Sequence, residues 1–358
     1  MSEFFKWLTG SPSVAAALVA FLGVLVLMFV VAFLQGREIV FWPPKIGPRP
    51  AKAKGSESTT NHERDMASIA SNPIVGRGSV LKTASGDNVT VESDFYGGAN
   101  ATLFRARNSA NQKVIAKVFW RGLAPNSPPW ELFNQEQRSA EILIHRNIVR
   151  ILDRGLFGGY PFTIMEFMGG GTLRDWLRTY DRIPGEDIVS IGGQVAQAID
   201  FAHSHGVIHR DIKPGNILFE SDAHGRVALG DFGIARILGA VERDITAAGL
   251  EAFVGSPAYL APETLQDRVP SQASDIYAFG VVVYEMIAGK TPFDDAGDGF
   301  AILRAKVSQD APDIRNYRAG VADSVVVRLA QSLSRDPSAR PGTARDVLSG
   351  IEAEIGRL

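Results

Sequence analysis

Two short runs of the sequence carry the groups that a phosphoryl transfer needs. A run reading HRDIKPGNIL begins at His209, and a DFG run begins at Asp231. Phosphoryl transfer requires a firmly held triphosphate with its divalent metal, an oriented hydroxyl, and neutralised charge on the transferred oxygens. Asp211 can accept the proton of the hydroxyl, Lys213 can contact the γ-phosphate and Asn216 can bind Mg²⁺. Asp231 provides a second oxygen ligand of the kind that Mg²⁺ prefers.

The composition excludes several other chemistries. The chain has 358 residues and no cysteine, which excludes disulfides, thiolate zinc sites and cysteine nucleophiles. A formal net charge of −2 provides no overall basic field, so we expect no nucleic-acid partner. None of the six histidines falls in a zinc-site motif. The two runs are therefore the main chemical signal.

Three further motifs accompany these runs. Residues 114–117 read VIAK, residues 261–263 read APE, and residues 336–341 read DPSARP. With them, residues 87–350 resemble the eukaryotic-like protein kinase family, in the form found in bacterial Ser/Thr kinases. The resemblance implies an α+β fold of two lobes, strand-rich and then helical. It implies ATP and Mg²⁺ as cofactors, with Mn²⁺ as an alternative, and Ser/Thr residues of proteins as substrates.

The resemblance also implies roles for single residues. Lys117 would grip the α- and β-phosphates and act with Asp211 and Lys213 in catalysis. Glu136 would be the ion-pair partner of Lys117, with Glu141 as the alternative. Met165 would border the adenine pocket, followed by a hinge of Glu166, Phe167 and Met168. The residues implied for nucleotide binding are Gly97, Gly98, Leu103, Ala116, Lys117, Glu136, Met165, Glu166, Met168, Asn216, Leu218 and Asp231.

Contacts farther along the chain follow from the same resemblance. Glu263 of APE is expected to pair with Arg340, and Asp275 is expected to bond the backbone of the catalytic loop. Lys213 accompanies Ser/Thr rather than Tyr substrates in the family, and Ser256 stands where a substrate-loop threonine is usual. The hydroxyl of Ser256 would reach toward the catalytic aspartate.

Regulation by self-phosphorylation is a further expectation. Arg210 is available to pair with a phosphorylated residue between DFG and APE. Thr246 is the one threonine in that interval and the expected site. A homodimer would allow one chain to phosphorylate its partner.

The loop expected to cover the phosphates departs from the family pattern. Of the three glycines in GxGxxG, only the middle one remains, at Gly98, with Tyr96 and Ala101 at the outer positions. A β-carbon restricts the backbone and adds bulk near the nucleotide. An ATP-binding pseudokinase that serves as a membrane-tethered scaffold is therefore the alternative. A small-molecule phosphotransferase is disfavoured, because such relatives generally lack the APE segment and the HRDxKPxN run.

The local patterns predict the elements that must position these groups. Residues 74–168 favour strands, with one helix beginning at Ser127 as its N-cap. Residues 169–350 favour helices with apolar residues at a helical period. The predicted kinase domain is therefore residues 74–350, with an N-lobe of residues 74–168, a C-lobe of residues 169–350 and a tail of residues 351–358.

The amino-terminal part predicts a membrane anchor. Residues 14–34 contain no charged or polar side chain and are long enough to cross a bilayer as a helix. Five basic residues follow within residues 35–54 and one precedes, which predicts a single-pass protein of the inner membrane with its kinase domain in the cytoplasm. Residues 1–13 would be a short extracytoplasmic terminus, and residues 35–73 a linker rich in Pro, Lys, Gly, Ser and Thr.

Overall fold

The computed structural model describes residues 75–97, 101–120, 122–123, 127–180, 182–221, 225–232, 257–266 and 270–358. All of them belong to the compact unit His62–Leu358. The predicted span, residues 14–34, and the whole of the predicted linker, residues 35–73, lie outside the described residues. Within the described ranges, no helix is both long and apolar enough to cross a membrane.

The first lobe is built on an antiparallel sheet of six strands in the order β1-β2-β3-β4-β6-β5. A backbone hydrogen bond from Ala84 to Arg154 brings the end of β1 against the other edge strand, β5. The sheet therefore curves around an apolar interior. The strands are β1 (Val80–Lys82), β2 (Asn88–Gly97), β3 (Ala101–Arg107), β4 (Lys113–Phe119), β5 (Ile151–Phe157) and β6 (Tyr160–Glu166).

Alternation along β4 separates the sheet core from the face that carries chemistry. Val114, Ala116 and Val118 pack into the interior cluster with residues of β2, β3 and β6. Side chains of a strand alternate between its faces, so Ile115 and Lys117 lie on the opposite face. The register of this strand therefore determines which residues reach the site.

Helix α1 (Pro128–Glu141) covers that second face. As predicted, Ser127 is its N-cap and its side chain accepts a hydrogen bond from the Trp130 backbone N–H. Phe133 packs edge-on against Phe119 of β4, at a ring-centroid distance of 5.6 Å. The helix is thus tied to the strand that carries Lys117.

The second lobe is mainly helical, with a short hairpin of β7 (Ile217–Phe219) and β8 (Val227–Leu229) beside the catalytic loop. Its helices are α2 (Leu173–Thr179), α3 (Gly185–Ser204), α4 (Pro262–Gln266), α5 (Gln272–Ala288), α6 (Gly299–Ser308), α7 (Asp323–Ser332) and α8 (Glu352–Gly356). Single 3₁₀ turns occur at Pro214–Asn216, Asp294–Ala296, Ile314–Asn316, Pro337–Ala339 and Arg345–Val347.

Helix α5 is the central element of this lobe. Residues 274–287 are all buried. Ser271 caps its start through a capping box, and Gly289 ends it at φ 76°, a backbone conformation that glycine adopts without strain. Polar groups on such a helix need internal partners, and Asp275 and Glu285 are the two that matter for the site.

The prediction that residues 351–358 form a tail is wrong. Helix α8 lies in this segment, and Ile351 and Ile355 are buried in the core of the helical lobe. A β-carbon on Gly185 would come within 1.9 Å of the Ile355 carbonyl oxygen, so α3 and α8 are in close backbone contact. The domain therefore extends beyond residue 350, because these apolar side chains complete its core.

Candidate active site

The catalytic loop is held by a buried carboxylate beneath it. Asp275 accepts hydrogen bonds from the backbone N–H groups of His209 at 2.7 Å and Arg210 at 2.8 Å. The His203 ring lies 2.8 Å from the same carboxylate. The predicted bond between Asp275 and the loop backbone is confirmed. The hydrogen bond from Arg210 also holds its backbone at φ 74°, a conformation that a residue with a side chain adopts only under constraint.

Three side chains meet at the centre of the loop. The Lys213 ammonium lies 2.6 Å from Asp211 Oδ2. Asn216 donates from Nδ2 to the Asp211 backbone oxygen at 2.7 Å and to its Oδ2 at 3.0 Å. About a third of the Asp211 side chain is exposed, so the carboxylate is oriented by its neighbours and still open to a substrate.

Asp231 approaches this centre from the end of the β7–β8 hairpin. A hydrogen bond of 2.8 Å from Gly230 N–H to the Asn216 carbonyl holds the two chain segments together. The Lys117 ammonium lies 2.8 Å from Asp231 Oδ1. Burial alone would raise the pKa of Asp231, but the charge and hydrogen bond of Lys117, together with His209 and Lys213, hold that pKa below its ordinary value. The structure thus brings Lys117, Asp211, Lys213, Asn216 and Asp231 together.

The expected partner of Lys117 on α1 stays a prediction. The side chain of Glu136 lies outside the described part of the structure. Glu141, the alternative partner, instead forms an ion pair with Arg154 of β5. Gln137, which the sequence did not single out, is fully buried and accepts a 2.9 Å hydrogen bond from Thr163, the residue paired with Lys117 in the sheet.

The structure corrects one residue predicted for the nucleotide-binding side of the site. Ala116 is buried in the sheet core, so it lies on the face of β4 away from Lys117. Ile115 takes its place, since it lies two residues before Lys117 and pairs with Met165 across the sheet. Leu103 pairs with Lys117 and shares that face.

An apolar patch continues this surface into the second lobe. Val149, Met168 and Ala228 are buried together, with Met165 and Leu218 packed against them. Gly230 leaves room for Leu218, because a β-carbon there would come within 2.9 Å of the leucine side chain. Val149 and Ala228 carried no motif, and only their packing reveals them.

The Glu166 side chain is engaged outside the predicted adenine contact. Its carboxylate accepts hydrogen bonds from Arg226 at 2.6 and 2.9 Å and from the Arg150 backbone at 2.8 Å. Arg226 also donates to the backbone oxygen of Arg146. The carboxylate is therefore a structural anchor of the hinge, which leaves its backbone groups as the predicted nucleotide contacts.

Several predicted residues fall outside the described ranges. Gly97 ends β2, whereas Gly98 of the phosphate loop is not among the described residues. Thr246 and Ser256 also lie outside them. The methyl group of Ala101 is buried against Phe119 and Phe133, so this non-glycine residue has a packing partner.

The segment after residue 256 is tied to the helical lobe at two side chains. Glu263 and Arg340 form two hydrogen bonds of 2.7 Å, which confirms their predicted pairing. Tyr259 donates to Glu285 Oε2 at 2.5 Å, and Arg174 lies 2.9 Å from Glu285 Oε1. The sequence did not reveal the second group, which joins residues from three separate elements.

The donor set fits a divalent metal. Asn216 and Asp231 offer an amide and a carboxylate oxygen, the donors that Mg²⁺ prefers. Among the described residues, no group of three or more acidic or histidine side chains is arranged to hold a metal unaided. Mg²⁺ usually takes one or two protein ligands together with substrate phosphates and water, which matches this pair.

Comparison with known proteins agrees with this geometry. Residues 94–349 match the protein kinase domain model. The chain is 35% identical to the serine/threonine-protein kinase PknK of Mycobacterium bovis over 75% of its own length and 23% of PknK. It is 32% identical to PknL of Mycobacterium tuberculosis over 74% of this chain and 64% of PknL. The PrkC kinase of Bacillus subtilis matches at 30% identity over 72% of this chain and 39% of PrkC.

The crystal structure of the M. tuberculosis PknI kinase domain has the same fold, with a TM-score of 0.61 at 23% identity. That match covers 79% of this chain and 99% of the PknI chain. The chain belongs to the protein kinase family, and its domain is of the serine/threonine class. Protein kinases use ATP and a divalent metal, generally Mg²⁺. The chain spans only about a quarter of PknK and about two-fifths of PrkC.

Proposed function

We propose that this chain transfers the γ-phosphoryl group of ATP to Ser and Thr hydroxyls of proteins. The observation that carries the proposal is the cluster at Asp211, where a partly exposed carboxylate is oriented by Lys213 and Asn216. A carboxylate held in this way can orient the attacking hydroxyl and accept its proton. Lys213 then lies beside the position of the transferred group, where its charge is most useful.

The remaining groups support nucleotide binding. Lys117 would hold the α- and β-phosphates, and Asn216 and Asp231 would hold Mg²⁺. When bound, the metal neutralises negative charge on the phosphate oxygens. The apolar surface formed by Ile115, Met165 and Leu218 suits the adenine ring, and the hinge backbone after Met165 offers it hydrogen-bonding groups.

The test is transfer of labelled phosphate from ATP by the full chain and by an Asp211→Asn variant. The variant should retain Mg-ATP binding and lose transfer. Asp310→Asn is a matched control, since Asp310 is an exposed aspartate whose ion pair is with Arg335. Equal labelling by the wild-type and Asp211→Asn chains would refute the proposal.

A catalytically silent scaffold is the second candidate. The observation in its favour is the replacement of both outer loop glycines by Tyr96 and Ala101. This candidate predicts Mg-ATP binding with no incorporation of label in any protein. Restoring Gly at both positions would then leave transfer absent, whereas a kinase slowed by its loop would gain activity.

Membrane anchoring and regulation are further parts of the proposal. The uncharged run of residues 14–34 and the basic residues after it support a single inner-membrane span with a cytoplasmic kinase domain. Full chain that is extracted from membranes by alkaline carbonate would contradict the span.

In a homodimer, one chain would phosphorylate Thr246 of the other, and Arg210 would bind the phosphorylated residue. Unmodified Thr246 in a highly active sample, measured by mass spectrometry, would contradict the regulatory part.

A further inference from the structure

A lysine buried in the helical lobe contacts the backbone of the segment before α4. Lys306 of α6 is only 1% exposed. Its ammonium donates to the backbone oxygens of Ala258 and, at 2.9 Å, of Leu260. One side chain thus bonds two alternate carbonyls of residues 258–260, which constrains both the position and the direction of that backbone.

The surroundings of this ammonium are unusual for a buried charge. Its third contact is the ring of Tyr277, whose centroid lies 5.1 Å from Nζ. Among the described residues no carboxylate forms an ion pair with it, and burial lowers the pKa of Lys306 to about 7. A buried charge without a carboxylate is costly to folding. An apolar residue would fill the same space at lower cost, which indicates that the hydrogen-bond donor itself has a task.

The same segment is fixed from two helices. Between the two carbonyls that Lys306 holds, the Tyr259 side chain bonds Glu285 of α5. The first residue of α6, Gly299, lies so close to Pro257 that a β-carbon there would come within 3.1 Å of the proline ring. Helix α6 therefore contacts the segment through its first residue, Gly299, and through Lys306. Helix α5 holds the Tyr259 side chain through Glu285.

We propose that Lys306 is a positioning residue for the protein substrate. Its ammonium holds residues 258–260 in the conformation that receives the chain around the target Ser or Thr. The inference rests on the proposed function and on the kinase resemblance, which implies that the substrate-binding loop follows Ser256. It makes α6 part of the substrate-binding apparatus, although Lys306 itself contacts neither the nucleotide nor the catalytic aspartate.

The test compares Lys306→Met with Lys290→Met in the full chain in detergent micelles. Methionine keeps the length and apolar stem of lysine and removes the donor. Lys290 is a suitable control, since it also lies over a tyrosine ring, at 4.1 Å from that of Tyr317, and about a third of its side chain is exposed. Dephosphorylated casein is the protein substrate for steady-state kinetics. Hydrogen exchange of the backbone amides, followed by mass spectrometry, reports on the segment without requiring activity.

The expected result for Lys306→Met is a KM for casein raised about tenfold or more, with the KM for ATP within about twofold of wild type. Amides of residues 258–261 should exchange faster, while the catalytic loop keeps its protection. Lys290→Met should match wild type in all four measurements.

Three results would overturn the inference. The first is an unchanged KM for casein in Lys306→Met. The second is an equal rise in the KM values for casein and ATP, and the third is loss of Mg-ATP binding. Either of the last two would indicate a general structural role. If the wild-type chain binds Mg-ATP and transfers nothing, the proposed function fails. Hydrogen exchange then still tests whether Lys306 holds the segment. Unchanged protection of residues 258–261 in Lys306→Met would show that it does not.

Discussion

The Lys117 ammonium lies 2.8 Å from Asp231 Oδ1 and neutralises it across the site. Each group has another proposed partner when Mg-ATP binds, namely the phosphates for Lys117 and the metal for Asp231. Nucleotide binding would therefore exchange this ion pair for two contacts to the ligand. The pair keeps Asp231 ionised and directs both side chains into the site beforehand, which reduces the reorganisation that binding requires.

Replacing Asp231 by Asn should remove the charged metal ligand while keeping the shape of the side chain. We expect phosphoryl transfer to fall by about 100-fold or more, because several kcal/mol of charge stabilisation depend on the metal. The Mg²⁺ concentration needed for half-maximal nucleotide binding should rise. Titration of Mg²⁺ at constant ATP measures this, with Asp310→Asn as control. A variant that keeps the wild-type Mg²⁺ requirement would exclude Asp231 as a ligand.

Replacing Arg226 by Ala should loosen the hinge. Glu166 would lose both hydrogen bonds from the guanidinium and its nearest cation. We expect the KM for ATP to rise about fivefold, equivalent to about 1 kcal/mol, because the hinge backbone is less well ordered before binding. Arg335→Ala is the matched control, since Arg335 is an exposed arginine paired with Asp310. Identical ATP kinetics in the two variants would contradict a role for Arg226 at the hinge.

The pair Glu263–Arg340 should make stability depend on acid pH. Burial opposes ionisation of Glu263, but the Arg340 guanidinium outweighs it and lowers the pKa of that carboxyl below 4.5. The stabilisation is complete above the unfolded-state value near 4.5 and is lost as pH falls through the folded-state value. Glu263→Gln should lose about 3 kcal/mol at pH 7, because Arg340 stays buried without its carboxylate.

Urea unfolding of the wild-type and Glu263→Gln chains between pH 3 and pH 7 measures this effect. The difference in their free energies of unfolding should shrink as pH falls below about 4.5, because the Glu263 carboxyl of the unfolded wild-type chain binds a proton before that of the folded chain. A difference that is constant over this range would show that the charge of Glu263 contributes nothing.

Lys306 should produce a dependence at alkaline pH. Its pKa is about 7 in the folded chain and 10.5 in its ordinary state, so between these values the unfolded chain binds the extra proton. Stability therefore rises with pH in that window, by about 1.4 kcal/mol per pH unit. Burial raises the pKa of the adjacent Tyr277 well above its ordinary value, and Arg340 on the same ring is paired with Glu263. Tyr277 therefore does not titrate in the window.

The measurement is the free energy of unfolding of the wild-type and Lys306→Met chains at pH 7 and pH 9. The free energy of unfolding of wild type, relative to that of the variant, should rise by about 2 to 3 kcal/mol between them. Parallel curves would mean that Lys306 has the same proton affinity in the folded and unfolded chains.

Local sequence patterns correctly predict the features that depend on residues close together in the chain. The helix cap at Ser127 and the strands around Lys117 follow from turn chemistry and alternation. The motif HRDIKPGNIL brought Asp211, Lys213 and Asn216 within five residues of one another, so their grouping was visible before the fold. The motif match predicts Ala116 as a nucleotide contact, whereas alternation along β4 places Ile115 on the face of Lys117.

The tertiary structure decided contacts between residues far apart in the chain. Lys306 bonds carbonyls 46 and 48 positions away, and Arg226 reaches Glu166 across 60 positions. No periodicity or motif specifies such pairs, because they depend on how helices and strands pack. The C-terminal helix was missed for the same reason, since Ile351 and Ile355 become core residues only when α3 lies against them. The sequence alone therefore determined the chemistry that the site contains, through spacing along one loop and one strand. Packing between distant segments decided what holds that chemistry in place.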